Sequence, residues 1–152
     1  MRQADLIVCE RRDRLTQTLR SALLRRGVDR SELTGRKSWL RQRSGVAAVR
    51  SLLVELPASL LVIETTPGNL KEVLTLFLEL STRWPAARAV AVIDESMAAC
   101  RHAVREAGAI HVVDASCELE AVADMALTHF ARQPQPVLTL REEIWETLPW
   151  KP

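Results

Sequence analysis

One apolar stretch near the middle of the chain constrains the fold more than any other feature. Residues 59–68 read Ser-Leu-Leu-Val-Ile-Glu-Thr-Thr-Pro-Gly, with four apolar residues in a row before Glu64. A short, uninterrupted apolar run that ends at a turn is typical of a strand buried on both faces of a parallel sheet. Open α/β folds build their sites at the carboxyl ends of such strands. Glu64 therefore marks the first candidate site.

Strand and helix patterns alternate on both sides of this stretch. Further strands are predicted at 5–10, 89–93 and 110–113, with a weaker, polar edge strand near 32–39. Apolar residues at helical spacing predict helices over 13–27, 44–56, 69–82, 97–107 and 119–130. Five strand–helix units in succession imply an α/β fold with a five-stranded, doubly wound parallel sheet.

Two polar residues are candidate helix caps. Asp13 immediately precedes the first helical pattern, where a side-chain oxygen can accept from a free backbone N–H. Asn69 is followed three residues later by Glu72, which is a capping-box spacing. The sequence predicts that both residues cap the helices that follow them.

The end of the chain differs from the rest. Residues 1–132 form one predicted domain, whereas 133–152 begin with Gln-Pro-Gln-Pro, a stiff linker, and continue into a short helix. That helix has one apolar face, made of Leu140, Ile144, Trp145 and Leu148. A helix this short is marginal alone in water, so we expect it to dock. It docks on its own domain or, alternatively, on a partner or a second copy in a homodimer.

Positive charge is concentrated in the first third of the chain. Of the 21 Lys and Arg residues, 13 lie within residues 1–50, beside only five of the 19 acidic residues. The densest run is 36–43, with cations around one tryptophan: Arg36, Lys37, Trp39, Arg41 and Arg43. We interpret it as a surface for an acidic protein partner, because steering requires only complementary charge. The alternative is nucleic acid, with the cations on phosphates and the indole of Trp39 stacked on a base.

Several functional classes receive no support. The chain contains neither G-x-G-x-x-G nor G-x-x-x-x-G-K, so we expect no nucleotide cofactor. No run approaches the roughly 18 apolar residues of a membrane span, and no signal peptide is recognisable, so we expect no membrane association. Three cysteines without a C-x-x-C pair fit a reducing cytoplasm. His102, two residues after Cys100, points to a different helix face, which argues against a metal site.

The order of elements resembles the receiver domain of two-component response regulators over residues 4 to about 132. The resemblance rests on Leu6-Ile-Val-Cys-Glu10 followed by a helix ending at Gly27, and on Leu60-Leu-Val-Ile-Glu64 with Pro67 shortly after. Ala107-Gly-Ala109 before the last strand is a further match. The resemblance implies a flavodoxin-like sheet and a role in signalling.

The same resemblance assigns positions to the receiver's phosphoryl site. In receivers an aspartate at the end of the third strand accepts the phosphoryl group; Glu64 occupies that position. The Mg²⁺-binding acidic pair corresponds to Glu10 and Arg11. The Ser/Thr that ends the fourth strand falls at Ile93 or Asp94. The lysine that ends the fifth falls at Asp114.

These departures predict a degenerate receiver. Arg11 replaces an oxygen ligand with a cation, Asp114 reverses the charge of the lysine, and Glu64 is one methylene too long. We therefore expect a non-enzymatic interaction module that takes no phosphoryl group; the weaker alternative is a phosphoryl acceptor that uses Glu64. A further hypothesis pairs Arg11 with Glu64 or Asp114 in a permanent ion cluster, against the alternative of solvated loop charges.

Overall fold

The fold was analysed in a computed structural model that describes residues 3–35, 38–114 and 119–133. The strands are β1 (Leu6–Cys9), β2 (Leu40–Arg43), β3 (Leu60–Glu64), β4 (Arg88–Ile93) and β5 (His111–Asp114). The helices are α1 (Arg14–Arg25), α2 (Arg30–Leu33), α3 (Val46–Glu55), α4 (Leu70–Arg83), α5 (Arg101–Ala107) and α6 (Leu119–Arg132). A 3₁₀ turn, Glu95–Cys100, leads into α5, where the sequence predicted one continuous helix from 97 to 107.

The strands form one sheet in the order β2-β1-β3-β4-β5, and every neighbouring pair is parallel. This confirms the predicted five-stranded, doubly wound α/β fold. β3 lies in the middle of the sheet, and Leu60 to Ile63 are fully buried. Both of its faces are covered, which explains the uninterrupted apolar run. The predicted linker and C-terminal helix lie outside the described residues.

Helices cover the two faces of the sheet in two groups. One face packs on α3, α4 and α5 through residues such as Ile7, Leu61 and Ile63. The opposite face packs on α1, α2 and α6 through their neighbours Leu6, Val8 and Leu60. Adjacent residues of one strand thus enter different cores, because successive side chains of a strand point to opposite faces.

The second strand lies further along the chain than the sequence pattern indicated. The predicted strand near 32–39 was wrong: its first part belongs to the short helix α2, and β2 begins at Leu40. Arg41, Gln42 and Arg43 continue the edge strand, half-buried beside β1. A polar segment can occupy this edge because one long side of the strand is not paired with another strand.

Ion pairs connect α1 to α6. The guanidinium groups of Arg25 and Arg26 contact the carboxylates of Glu120 and Asp124. Hydrogen bonds from Arg26 lower the pKa values of both carboxyl groups below their ordinary range. These pairs link the exposed sides of the two helices that bury the same face of the sheet. Within the described residues, no helix has both the length and the apolar character needed to span a bilayer.

Candidate functional site

The candidate site lies at the carboxyl ends of β1, β3 and β4. Cys9 is paired in register with Ile63, so Glu10, directly after β1, and Glu64, the last residue of β3, lie at the same edge of the sheet. A cleft of about 210 Å³ opens there. Its lining includes three acidic and two basic residues, namely Glu10, Glu64, Asp94, Arg12 and Arg14.

Glu10 is buried, and both oxygens of its carboxylate accept hydrogen bonds from the start of α1. Its Oε2 accepts from the backbone N–H of Leu15 at 2.7 Å. Its Oε1 accepts from the backbone N–H of Thr16 at 2.8 Å and from the Thr16 hydroxyl at 2.7 Å. Glu10 therefore satisfies two of the free N–H groups that open the helix, and its negative charge lies at the positive end of the helix dipole.

Asp13 does not act as the predicted cap. It occupies the N-cap position of α1, but its side chain makes no capping hydrogen bond and instead accepts from the Gln17 amide at 3.0 Å. Glu10 approaches the same N–H groups from inside the fold. The cap is a tertiary contact from the end of β1, which a local sequence signature does not reveal.

Glu64 is half-buried, and the loop after it is held by Asn69. The Asn69 Oδ1 accepts from the Thr66 N–H at 2.7 Å, and its Nδ2 donates to the Glu64 carbonyl at 2.8 Å. Asn69 makes no side-chain cap to α4, so the predicted capping box was wrong. Thr65 is buried, and its N–H donates to the Val92 carbonyl at 2.8 Å. These bonds hold the backbone at the end of β3, where Glu64 lines the cleft.

The proposed ion cluster at this edge is not formed. Arg11 is exposed, and it makes no ion pair with Glu64, with Asp114 or with any other acid in the described residues. Asp114 is paired in register with Ile93 at the end of β5, and it does not line the cleft. Asp94 accepts from the Ser96 hydroxyl at the start of the 3₁₀ turn. The structure thus brings Glu10, Glu64 and Asp94 to one cleft and leaves Arg11 and Asp114 outside it.

The acids at this edge of the sheet act on Cys9, the last residue of β1. Cys9 is buried in the core that α3, α4 and α5 cover, and its pKa is raised from 9.0 to about 11. Burial is the largest cause, followed by the charges of Glu64, Glu10 and Glu72. All of these effects disfavour a thiolate, so Cys9 is a protonated core residue at neutral pH.

The donor set does not match the Mg²⁺ site that the receiver resemblance implies. The Glu10 oxygens face three donors of α1, and two arginines, Arg12 and Arg14, line the same cleft. The three hydrogen bonds occupy most of the lone pairs of the Glu10 carboxylate, and the arginines would repel a hard cation, which takes oxygen ligands. In the part of the chain that the structure describes, no three His, Cys, Asp or Glu side chains are grouped to hold a metal ion.

The described part of the basic segment, residues 38–43, packs against the domain. Trp39 is only 7% exposed; its ring packs edge-on against Phe130, and its Nε1 donates to Glu32 Oε2 at 3.3 Å. Its predicted role in stacking on a base was therefore wrong. The Nε of Arg41 contacts the fully buried carboxylate of Asp5.

Of the other cations in the basic segment, only Arg43 is among the described residues. Arg43 is half-buried, and its Nη1 donates to the Gln42 carbonyl at 2.6 Å. Arg36 and Lys37 lie outside the described residues, and their role in partner binding stays a prediction. Sequence reasoning passed over Arg12 and Arg14, although their position directly after the end of β1 was a usable signal.

Comparisons with known proteins support the fold and go no further. No family model matches the chain, and no curated protein matches it. Among solved structures, it is similar to TadZ, a CheY-like protein from Pseudomonas aeruginosa PAO1. The two share a TM-score of 0.61 and 17% sequence identity, over 89% of this chain and 98% of TadZ's crystallised chain. The chain therefore has a CheY-like, receiver-like fold.

Proposed function

We propose that this chain is a receiver-like signalling domain that takes no phosphoryl group and acts by binding a protein partner. The proposal rests mainly on the hydrogen bonds that Glu10 accepts. Both of its oxygens already accept hydrogen bonds from α1, so the residue that corresponds to a metal ligand serves as a buried helix cap. Releasing it would expose two backbone N–H groups without partners, at a cost of about 1–3 kcal/mol each.

Charge at the site adds to this argument. Transfer of a phosphoryl group requires cations aimed at its oxygens, usually a metal ion together with a lysine. Asp114 supplies a negative charge at the lysine position and lies outside the cleft. Arg12 and Arg14 are positive, but they enter from exposed positions after β1, on the side that would hold the metal.

The same arginines indicate the chemistry of the partner. Arg11, Arg12 and Arg14 are exposed, and none of them makes an ion pair with a described residue. Such a cluster favours an acidic protein surface, which it would steer by charge. The burial of Trp39 removes the stacking platform on which the nucleic-acid alternative depended. A cytoplasmic location remains part of this proposal, in line with three cysteines that form no C-x-x-C pair in the sequence.

Exposure to a small phosphoryl donor tests the first half of the proposal. The full chain is incubated with Mg²⁺ and acetyl phosphate beside an active receiver, and intact mass is recorded over time. We expect no mass increase here while the active receiver gains one phosphoryl group. A phosphoryl adduct that is lost in Glu64→Gln would overturn the proposal and establish Glu64 as an acceptor.

Charge reversal tests the partner half. The double variant Arg12→Glu/Arg14→Glu is compared with Arg105→Glu, an exposed arginine on α5, in affinity enrichment from the native cell. We expect the double variant to lose proteins that wild type and the Arg105 variant retain, and we expect those proteins to dissociate at high salt. Equal retention by all three would contradict a partner at the β1–α1 loop.

A further inference from the structure

A second depression lies at the opposite, amino-terminal edge of the sheet. It has a volume of about 640 Å³ and lies between the starts of β4 and β5 and the last turns of α6. Its lining includes Arg88, Ile110, Met125, Thr128, His129 and Arg132. Ile110 is 50% exposed, which is unusual for a large apolar residue at the start of a strand. We call this depression the α6 groove.

The α6 groove lies where the chain leaves the domain. α6 ends at Arg132, and the next residue, Gln133, is itself part of the lining. His129 fixes this end of the helix, because its Nε2 lies 2.7 Å from the Ala58 carbonyl and 3.2 Å from the Gln133 amide. Residues 134–152 therefore start at the rim of the groove.

The length of this segment suits the α6 groove. Six residues lie between Gln133 and Leu140, so the seven steps from one to the other span at most about 25 Å when extended. The groove begins at Gln133 itself, so the linker can turn back and still place the predicted apolar face over Ile110 and Met125. The turn back falls within the residues between the prolines and Leu140, because the Gln-Pro-Gln-Pro start is itself stiff and extended.

The charges of the α6 groove and of the C-terminal segment are complementary. Arg88 and Arg132 line the α6 groove, and neither forms an ion pair with a described residue. The one acid in the lining, Asp124, is already engaged by Arg26. The segment beyond the linker carries three glutamates close to its predicted apolar face, namely Glu142, Glu143 and Glu146.

We propose that residues 138–148 of the same chain dock in the α6 groove, with Ile144 and Trp145 over Ile110 and the glutamates near Arg88 and Arg132. Docking covers the exposed apolar surface at this edge and closes the domain on itself. The edge that carries Glu10 and Glu64 then remains the face open to a partner.

Backbone ¹H–¹⁵N spectra of the full chain give the first test. Trp145→Asp is compared with wild type, and we expect amide shifts that cluster at Arg88, Ile110 and Thr128. Shifts that cluster on another face, or an absence of shifts outside the tail, would overturn the proposal. A spectrum that changes with protein concentration would also overturn it, because it would assign the groove to the tail of a second copy.

Tryptic cleavage after Arg141 gives the second test, from the groove side. Ile110→Asp is paired with a control on the opposite face of the sheet, Val54→Asp, whose side chain is 73% exposed on α3. We expect cleavage to be roughly tenfold faster in Ile110→Asp, as for the loss of one well-packed contact, and unchanged in the control. Equal rates in all three proteins would contradict docking in this groove.

Discussion

Glu10 and Glu64 are the same residue type at the same edge of the sheet, yet the fold uses them differently. Glu10 directly follows β1 and Glu64 is the last residue of β3, and the residues before them, Cys9 and Ile63, are paired in register. Glu10 is 3% exposed and accepts three hydrogen bonds from α1. The Glu64 side chain is half-buried and lines the cleft, while the backbone around it is held by Asn69.

The difference shows that two acids at one edge of a receiver-like sheet can have separate structural roles. A carboxylate that caps a helix from within the fold gives structural stability and is bound in place by that role. A carboxylate in a cleft stays available to ligands. In this chain the first acid has become part of the scaffold, and only the second retains the exposure of a site residue.

The largest expected effect comes from truncating the two glutamates. Glu10→Ala leaves the N–H groups of Leu15 and Thr16 without acceptors and should lower the free energy of unfolding by about 2–4 kcal/mol. Glu64→Ala removes no side-chain hydrogen bond that the described residues show, and it should change that free energy by less than about 1 kcal/mol. Urea denaturation of both variants measures the difference. Equal losses would remove the distinction between the two acids.

A smaller effect is expected from the loop that supports Glu64. Asn69→Ala removes the bonds to the Thr66 N–H and the Glu64 carbonyl, which should cost about 1–2 kcal/mol. Asn69→Asp keeps the acceptor for Thr66 and loses only the donor, so it should fall between Ala and wild type. The same denaturation experiment applies. A neutral Asn69→Ala would show that the loop is held by other contacts.

The smallest expected effect concerns the pKa of Cys9, which burial and the charges of Glu64 and Glu10 all raise. Its pKa is raised to about 11, so the folded state holds this proton while an unfolded thiol with a pKa of 9.0 releases it. The stabilising contribution is therefore complete below pH 9 and is lost as pH rises towards 11. Glu64→Gln should lower the pKa of Cys9, because it removes one of the repelling charges, while burial keeps it above 9.0. The pH dependence of alkylation measures the shift; an unchanged profile would separate Glu64 from Cys9.

The sheet and most helices could be predicted because burial leaves a direct trace in the sequence. The continuous run at Leu60–Ile63 and the helical spacing of α6 both reflect faces that are covered in the structure. β2 lacks such an apolar run, because only Leu40 of its four residues is apolar and buried. Arg41 and Arg43 lie in an edge strand whose charges are compensated by Asp5 and by a backbone carbonyl, and those partners come from outside the local sequence.

The functions of individual polar residues could be predicted less well, for the same reason. Asp13 had the right position for a cap, but Glu10 reaches the same N–H groups from the end of β1. Trp39 had cations on both sides, but its ring is buried against Phe130, which lies 91 residues further along the chain. Both outcomes depend on tertiary contacts that periodicity and spacing do not contain.

Titration with Mg²⁺, followed through the backbone amides of Leu15 and Thr16, tests the central claim most directly. These amides donate to Glu10, so any ion that recruits its carboxylate must shift them. We expect that neither resonance shows a saturable shift, with or without beryllofluoride, while an active receiver responds under the same conditions. A saturable shift of both amides that disappears in Glu64→Gln would show that Glu10 is released to a metal, and would contradict the structural role assigned to it.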